Sequence, residues 1–399
     1  MRKIFTMVLK QDKVFSTTSV SIYGVTILFY TIVYMVLMML PIYTHNQKAN
    51  YITIGWIMGI TMLTSMVCRP LAGRLIDRYG TSRIFFISII VFAFSLCGYF
   101  LNSTIVYWLV RLIQGAVAAC FSTAMEIITI NLLSDRLRGQ GLSLYSLATV
   151  IPTVFAPILS LYLIQHTSAQ FIFLLLFIFG ICNIVISWLL FKKVVGLDIR
   201  TSDLKSQSMK DFFANSQLLI PTIIMALASV GNGAVFTFLP LYLSSISSPF
   251  VETYFLLQML TLVCTRFFGS KFLKLNTVLP IRLVFLLLMS VCFGFVIIAF
   301  FPTPVGLSIA AIANGIAFAL LYPTLLTITS FRISSAYKGY FLGIFIGGAD
   351  FGFAMGAILI GFIAQIFSLH TAFIFCAILT FVTLPLCSNS SLSKSDGQN

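Results

Sequence analysis

Arg111-Leu112-Ile113-Gln114-Gly115 sets a guanidinium and a carboxamide three residues apart inside an apolar stretch, on one face of any helix that forms there. An ionised arginine in such surroundings is costly unless it faces a cavity and finds a partner. The presence of Arg111 therefore points toward function, with snorkelling to the nearer surface as the structural alternative. Two carboxyls, Glu126 and Asp350, also lie in apolar stretches and are candidates for proton coupling or substrate contact. Asp350 stands about twelve residues into its run, near the middle of a span. Glu126 follows Arg111 on the same face but roughly 22 Å further along, too far for a direct pair, so a place in a vestibule is an equal alternative. Tyr30, Tyr34, Asn232, Asn314 and Tyr322 are cavity candidates by depth and polarity, and each could equally be glue between helices.

Positioning these groups requires membrane-spanning helices. Of the 399 residues, 59% are hydrophobic and only 9% charged, more apolar surface than a water-soluble fold of this length can bury. About twelve apolar runs are long enough to cross roughly 30 Å of hydrocarbon. They lie near residues 20–42, 52–72, 84–101, 104–131, 140–165, 170–191, 218–243, 251–270, 281–301, 304–331, 339–364 and 370–387. They are long and apolar on most faces, unlike the short alternating strands of a barrel, so the fold class is an all-α membrane protein with twelve transmembrane helices. The charged stretch Met1 to Phe15 contains no cleavable signal pattern, and the first helix serves as the targeting signal.

With both termini inside, 22 of the 24 Lys and Arg residues fall on the cytoplasmic side, Lys48 and Arg111 being the exceptions. The net charge of +14 thus reflects topology and anionic lipid rather than nucleic acid, which is not expected as a partner. His45, His166 and His370 come out at outer helix ends or loops. The eight cysteines include no C-x-x-C pair and read as small packing residues, so neither metal nor cofactor is expected.

The polar stretch 192–217 divides the helices six and six: a half over 1–191, a cytoplasmic linker, a second half over 218–387, and a cytoplasmic tail over 388–399. The halves repeat in parallel. Leu40-Pro41-Ile42-Tyr43 matches Leu239-Pro240-Leu241-Tyr242, Arg69 matches Arg266, Gln114-Gly115 matches Asn314-Gly315, and Arg138-Gly139 matches Lys338-Gly339, at spacings of 197 to 200 residues. Such a repeat is one way to build a transporter whose solute site lies near the midplane where the halves meet.

Between the second and third runs stands Gly73-Arg74-Leu75-Ile76-Asp77-Arg78-Tyr79-Gly80, followed by Arg83. Gly73 would permit close helix approach, Asp77 would pair when the inside is shut, and Gly80 would make a tight turn. This segment resembles the cytoplasmic gate signature G-x-x-x-D-R-x-G of the major facilitator superfamily, and Arg111 to Gly115 resembles that family's R-x-x-Q-G element, which implies a part in proton coupling. The family's G-x-x-x-G-P antiporter element is incomplete here, because Ser146 to Pro157 keeps Pro152 and Pro157 but lacks the leading glycines. Over the whole chain, including Met62 to Gly80, Gly141 to Leu147, Gly233-Ala234-Val235, Tyr322-Pro323-Thr324-Leu325 and Gly343 to Gly352, the sequence resembles exporters of opine-type metallophores such as staphylopine.

That resemblance implies a monomeric proton-coupled exporter of a small siderophore-like polycarboxylate in the cell membrane. A multidrug:proton antiporter of lipophilic cations is the alternative, and a non-transporting receptor or scaffold a more distant one. No phosphate-cradling G-x-x-x-x-G-K-[ST] loop, H-E-x-x-H or filter-like element is present, which argues against an ATP-driven pump, an enzyme and a channel. The residues themselves are compatible with export or uptake.

Overall fold

The computed structural model describes residues 15–133, 137–195, 216–272, 281–331 and 338–388. The expected tail beyond Ser388 and most of the expected linker lie outside these residues, as does the charged N-terminal stretch up to residue 14.

The described chain forms twelve α-helices: α1 (Thr17–Asn46), α2 (Tyr51–Tyr79), α3 (Thr81–Ser95), α4 (Thr104–Leu132), α5 (Arg138–His166), α6 (Ala169–Val194), α7 (Ser216–Ser245), α8 (Val251–Phe272), α9 (Ile281–Phe300), α10 (Pro304–Phe331), α11 (Lys338–Ile366) and α12 (Leu369–Thr383). Short 3₁₀ segments extend α3 through Leu96–Leu101 and α12 through Leu384–Ser388. Helices are the natural outcome because a chain in hydrocarbon must satisfy its peptide groups internally. Among the described residues, eleven of the helices contain a stretch long and apolar enough to span a membrane.

The repeat noticed in the sequence is visible in how the helices end. α1 stops on Lys48 at φ 63°, with the Ala49 N–H donating to the Thr44 carbonyl (3.0 Å). α7 stops in the same way on Ser247 at φ 53°, with the Ser248 N–H donating to the Leu243 carbonyl (2.9 Å). Both are left-handed helix stops that satisfy carbonyls left over at a C-terminus. Likewise Ser168 caps α6 by accepting from the Phe171 N–H (3.3 Å), and Ser368 caps α12 by accepting from the Thr371 N–H (3.1 Å).

The chain packs as two compact units, one of Met1–Met39 with Leu63–Asp203, the other of Leu40–Met62 with Leu204–Asn399. In the first, α1 enters through Phe29, which stacks on Phe121 of α4 (3.9 Å) and lies against Phe92 of α3 (4.4 Å). The Ser160 hydroxyl of α5 donates to the Met35 carbonyl (3.0 Å), and that of Ser82 to the Val194 carbonyl at the end of α6 (3.0 Å).

The second unit is organised by α11. Gly348, Gly352 and Gly356, four residues apart, form a stripe on which Thr222, Ala226 and Val230 of α7 sit so closely that an added Cβ would collide with them. A second stripe of α11 receives the first half of α2: Gly55 meets Ala357 and Gly361, Gly59 meets Ala354, and the Tyr51 N–H donates to Gln365 Oε1 (3.0 Å).

Candidate functional site

Arg111 is among the most completely buried large side chains of the protein, 2% exposed. Its guanidinium donates to the hydroxyl of Tyr99 and, at 3.5 Å, to Gln114 Oε1. Tyr99 in turn donates to the same Gln114 oxygen (2.9 Å), and the Gln114 amide donates to Ser95 Oγ (3.4 Å). The helical spacing of Arg111 and Gln114 puts both on the α3 side of α4, and Phe173 of α6 closes the node by stacking on the Tyr99 ring (5.4 Å). Snorkelling is therefore not what Arg111 does: the charge is held inside the first unit by neutral hydrogen-bonding groups.

Fifteen residues on, and roughly 22 Å along α4, Glu126 is exposed. It interacts electrostatically with Arg69 of α2. Tyr145 of α5 belongs to the same group, since Glu126, Arg69 and Tyr30 all act on its hydroxyl. The expected cavity residues Tyr30 and Tyr34 are half-buried neighbours with ring centroids 6.2 Å apart.

In the second unit Asp350 is half-buried on α11. Two residues after Gly348, it lies about 200° around the helix from the stripe that seats α7. It shares a face instead with Ala354, Ala357 and Gly361, and stands one turn before the place where Gly59 of α2 is received. Asn314 is fully buried and its amide donates to the Tyr254 hydroxyl of α8 (3.0 Å). Asn232 is half-buried on α7 between Gly231, which abuts Phe295, and Gly233, which abuts the Phe353 carbonyl. Tyr322 is half-buried and packs on Phe345 at 5.9 Å.

At the gate motif, Gly80 is the one residue between α2 and α3, at φ 92°, a conformation that only glycine adopts easily. Asp77 is half-buried, whereas Arg78 and Arg83 are exposed, the Arg78 guanidinium lying over the Tyr79 ring (5.2 Å). The expectation for Gly73 is not met: a Cβ there would find nothing within 4 Å, so no close helix approach depends on it here.

The structure thus joins Arg111 to Gln114 and places Glu126 near Tyr30. Sequence reasoning overlooked Tyr99, Arg69, Tyr145 and Tyr254. Arg69 carried a usable signal, a charged residue repeated as Arg266 inside an apolar run; the three tyrosines carried none beyond their depth.

The Major Facilitator Superfamily profile matches residues 22–341. The staphylopine export protein of Staphylococcus aureus is 30% identical over 377 residues, covering 91% of this chain and 93% of that protein. The multidrug export protein EmrB of Haemophilus influenzae is 27% identical over 161 residues, 39% of this chain and 30% of its own. Among solved structures, the peptide transporter POT in complex with sulfate superposes with a TM-score of 0.79 over 97% of this chain and 98% of its own, at 13% identity, a likeness of fold alone. A profile spanning most of the chain and a relative spanning nearly all of it agree with twelve helices in a repeated pattern: the protein belongs to the Major Facilitator Superfamily of multi-pass membrane transporters, which are not enzymes.

Proposed function

We propose that this transporter exports a small polycarboxylate metal chelator from the cytoplasm in exchange for protons. The observation that carries the reading is Arg111, a fully buried cation held by Tyr99 and Gln114 in a chain similar end to end to a staphylopine exporter. A buried charge is retained against its desolvation cost when it does something in the working cycle. A guanidinium presents a planar fork suited to a carboxylate, and a polyanion crossing an apolar interior needs such a counter-charge. Asp350, in the other unit, is the group that takes up and releases the proton, and Asp77 of the α2–α3 turn belongs to the cytoplasmic gate. The chain works as a monomer in the cell membrane with both termini, the 192–217 linker and the tail inside.

A multidrug antiporter is the second reading, favoured by the similarity of part of the chain to EmrB and by the many aromatic residues of the helices, which suit lipophilic cations. Flux into inside-out vesicles separates the two. Labelled citrate should accumulate under an imposed pH gradient and a cationic dye should not. Accumulation of the dye with indifference to citrate would replace the first reading by the second.

A further inference from the structure

In the first unit α3 and α6 pack side by side in opposite directions. The Ser82 hydroxyl donates to the Val194 carbonyl (3.0 Å), Phe86 stacks on Phe191 (5.1 Å), and further along a Cβ on Gly180 would meet Ala93. The first turn of α3 is therefore level with the last turn of α6, at the membrane face that carries the α2–α3 turn. Neither helix contains an Asp or Glu, yet Arg83, Lys192 and Lys193 gather at this end, all of them exposed.

Helical periodicity sorts these three cations. Arg83 is turned about 100° from the Ser82 contact and begins an exposed stripe that continues through Ile87 and Phe94. On α6 the exposed residues Val185, Trp188 and Lys192 recur at helical spacing as a second stripe. Because the two helices are antiparallel, both stripes open to the same side, across the Phe86 and Phe191 rings, whereas Lys193, about 100° further round α6, opens to the other. By helical rise Arg83 and Lys192 stand within about 2 Å of the same depth. Lys192 does not extend outward to water as a basic residue at a helix end commonly does: its Nζ is folded back over the Trp188 ring, 3.3 Å from the centroid. The groove thus has a fixed ammonium on one side, a guanidinium on the other and apolar side chains running away from both. A free anion would use the cations and leave the stripes idle, and a zwitterionic lipid would bring its own cation against them. An anionic phospholipid uses both parts. The equivalent pair in the second unit, α9 and α12, is joined by the Cys292 thiol donating to the Ala377 carbonyl (3.4 Å). Arg282 there repeats Arg83, but α12 and its extension end without a basic residue.

We propose that Arg83, Trp188 and Lys192 form a binding site for one anionic phospholipid of the surrounding bilayer, on the membrane face that carries the α2–α3 turn. The guanidinium and the ammonium share the headgroup phosphate, and the acyl chains lie along the two apolar stripes. The site is independent of which solute the protein moves and in which direction.

Trp188 reports on the site directly. Full-length protein with Trp56→Phe and Trp108→Phe keeps it as the single tryptophan, because the chain has three. In bilayers, quenching of its fluorescence by phosphatidylglycerol with brominated chains, set against brominated phosphatidylcholine, gives the relative occupancy of the groove. The single-tryptophan parent should prefer phosphatidylglycerol by on the order of twentyfold, the effect of two basic groups near the membrane surface. Arg83→Gln and Lys192→Gln should each lower that preference about fivefold, and the double variant should leave none. Lys193→Gln and Arg282→Gln remove the same charge elsewhere on this face of the protein and should leave the preference unchanged. An equal loss from either control would reduce the effect to general surface charge and overturn the site, as would equal quenching of the parent by the two lipids. Loss of the preference on adding millimolar glycerol phosphate would make the ligand a free anion and overturn the lipid assignment.

Discussion

Gln114 and Asn314 occupy equivalent places in the two repeats, each followed by a glycine, and each makes a buried hydrogen bond to a tyrosine. Around Gln114 the first unit assembles Tyr99, Ser95 and the Arg111 cation. Around Asn314 the second assembles neutral groups: Tyr254, and Gly315 against the backbone carbonyl of Gln258, whose own side chain is fully buried with neither polar atom hydrogen-bonded among the described residues. The backbone symmetry is strong enough to repeat helix caps and left-handed stops, yet the chemistry at the matching amides differs. Duplication supplied the frame and an arginine in each half, Arg69 and Arg266, and the other charges were placed in it unequally, with Arg111 and Glu126 on one side and Asp350 on the other.

If that asymmetry is functional, breaking the two nodes should have unequal consequences. The largest effect belongs to Arg111→Ala, which should lower transport on the order of a hundredfold at normal membrane levels, the upper range for a charged hydrogen-bonded contact. Arg111→Lys should rescue little, because a point charge cannot replace a planar fork. Asn314→Ala should leave transport within a few-fold of wild type and act on thermal stability instead. Comparable loss of flux from both would dissolve the distinction between the units.

A glycine pair provides the next test, read by the melting temperature of detergent-purified protein. Gly352→Ala forces a methyl against the Ala226 carbonyl and should destabilise the second unit by about 1–3 kcal/mol. Gly73→Ala has open space and should leave stability unchanged or slightly raised. At the smallest end, Gln258→Met replaces an amide without hydrogen-bond partners among the described residues by an apolar side chain of similar length, and should raise stability by up to about 1 kcal/mol with normal flux.

Much of the frame was legible in the sequence because it follows from local rules. Twelve apolar runs give twelve helices, and Gly80 marks the one-residue turn between α2 and α3. Pairing across helices was not legible. Tyr99 reaches Gln114 only after the chain has passed through the turn at Asn102 and Ser103, and Arg69 and Glu126 are separated along the chain by the whole of α3, so neither pair has a spacing rule to reveal it. The inclusion of Leu40–Met62 with the C-terminal helices was equally hidden, since it depends on Gly55 and Gly59 finding the small-residue stripe of α11. Gly73 shows the converse, a motif residue whose role could not be read from its type alone.

In the proposed mechanism a cation in one unit holds the solute while an acid in the other carries the proton, and Asp350→Asn separates these two roles. In proteoliposomes, that variant should fail to accumulate labelled citrate against its gradient under an imposed pH difference, yet still exchange internal for external citrate when no pH difference is applied, whereas Arg111→Ala should lose both. Undiminished pH-driven accumulation by Asp350→Asn would contradict the division of labour between the two units.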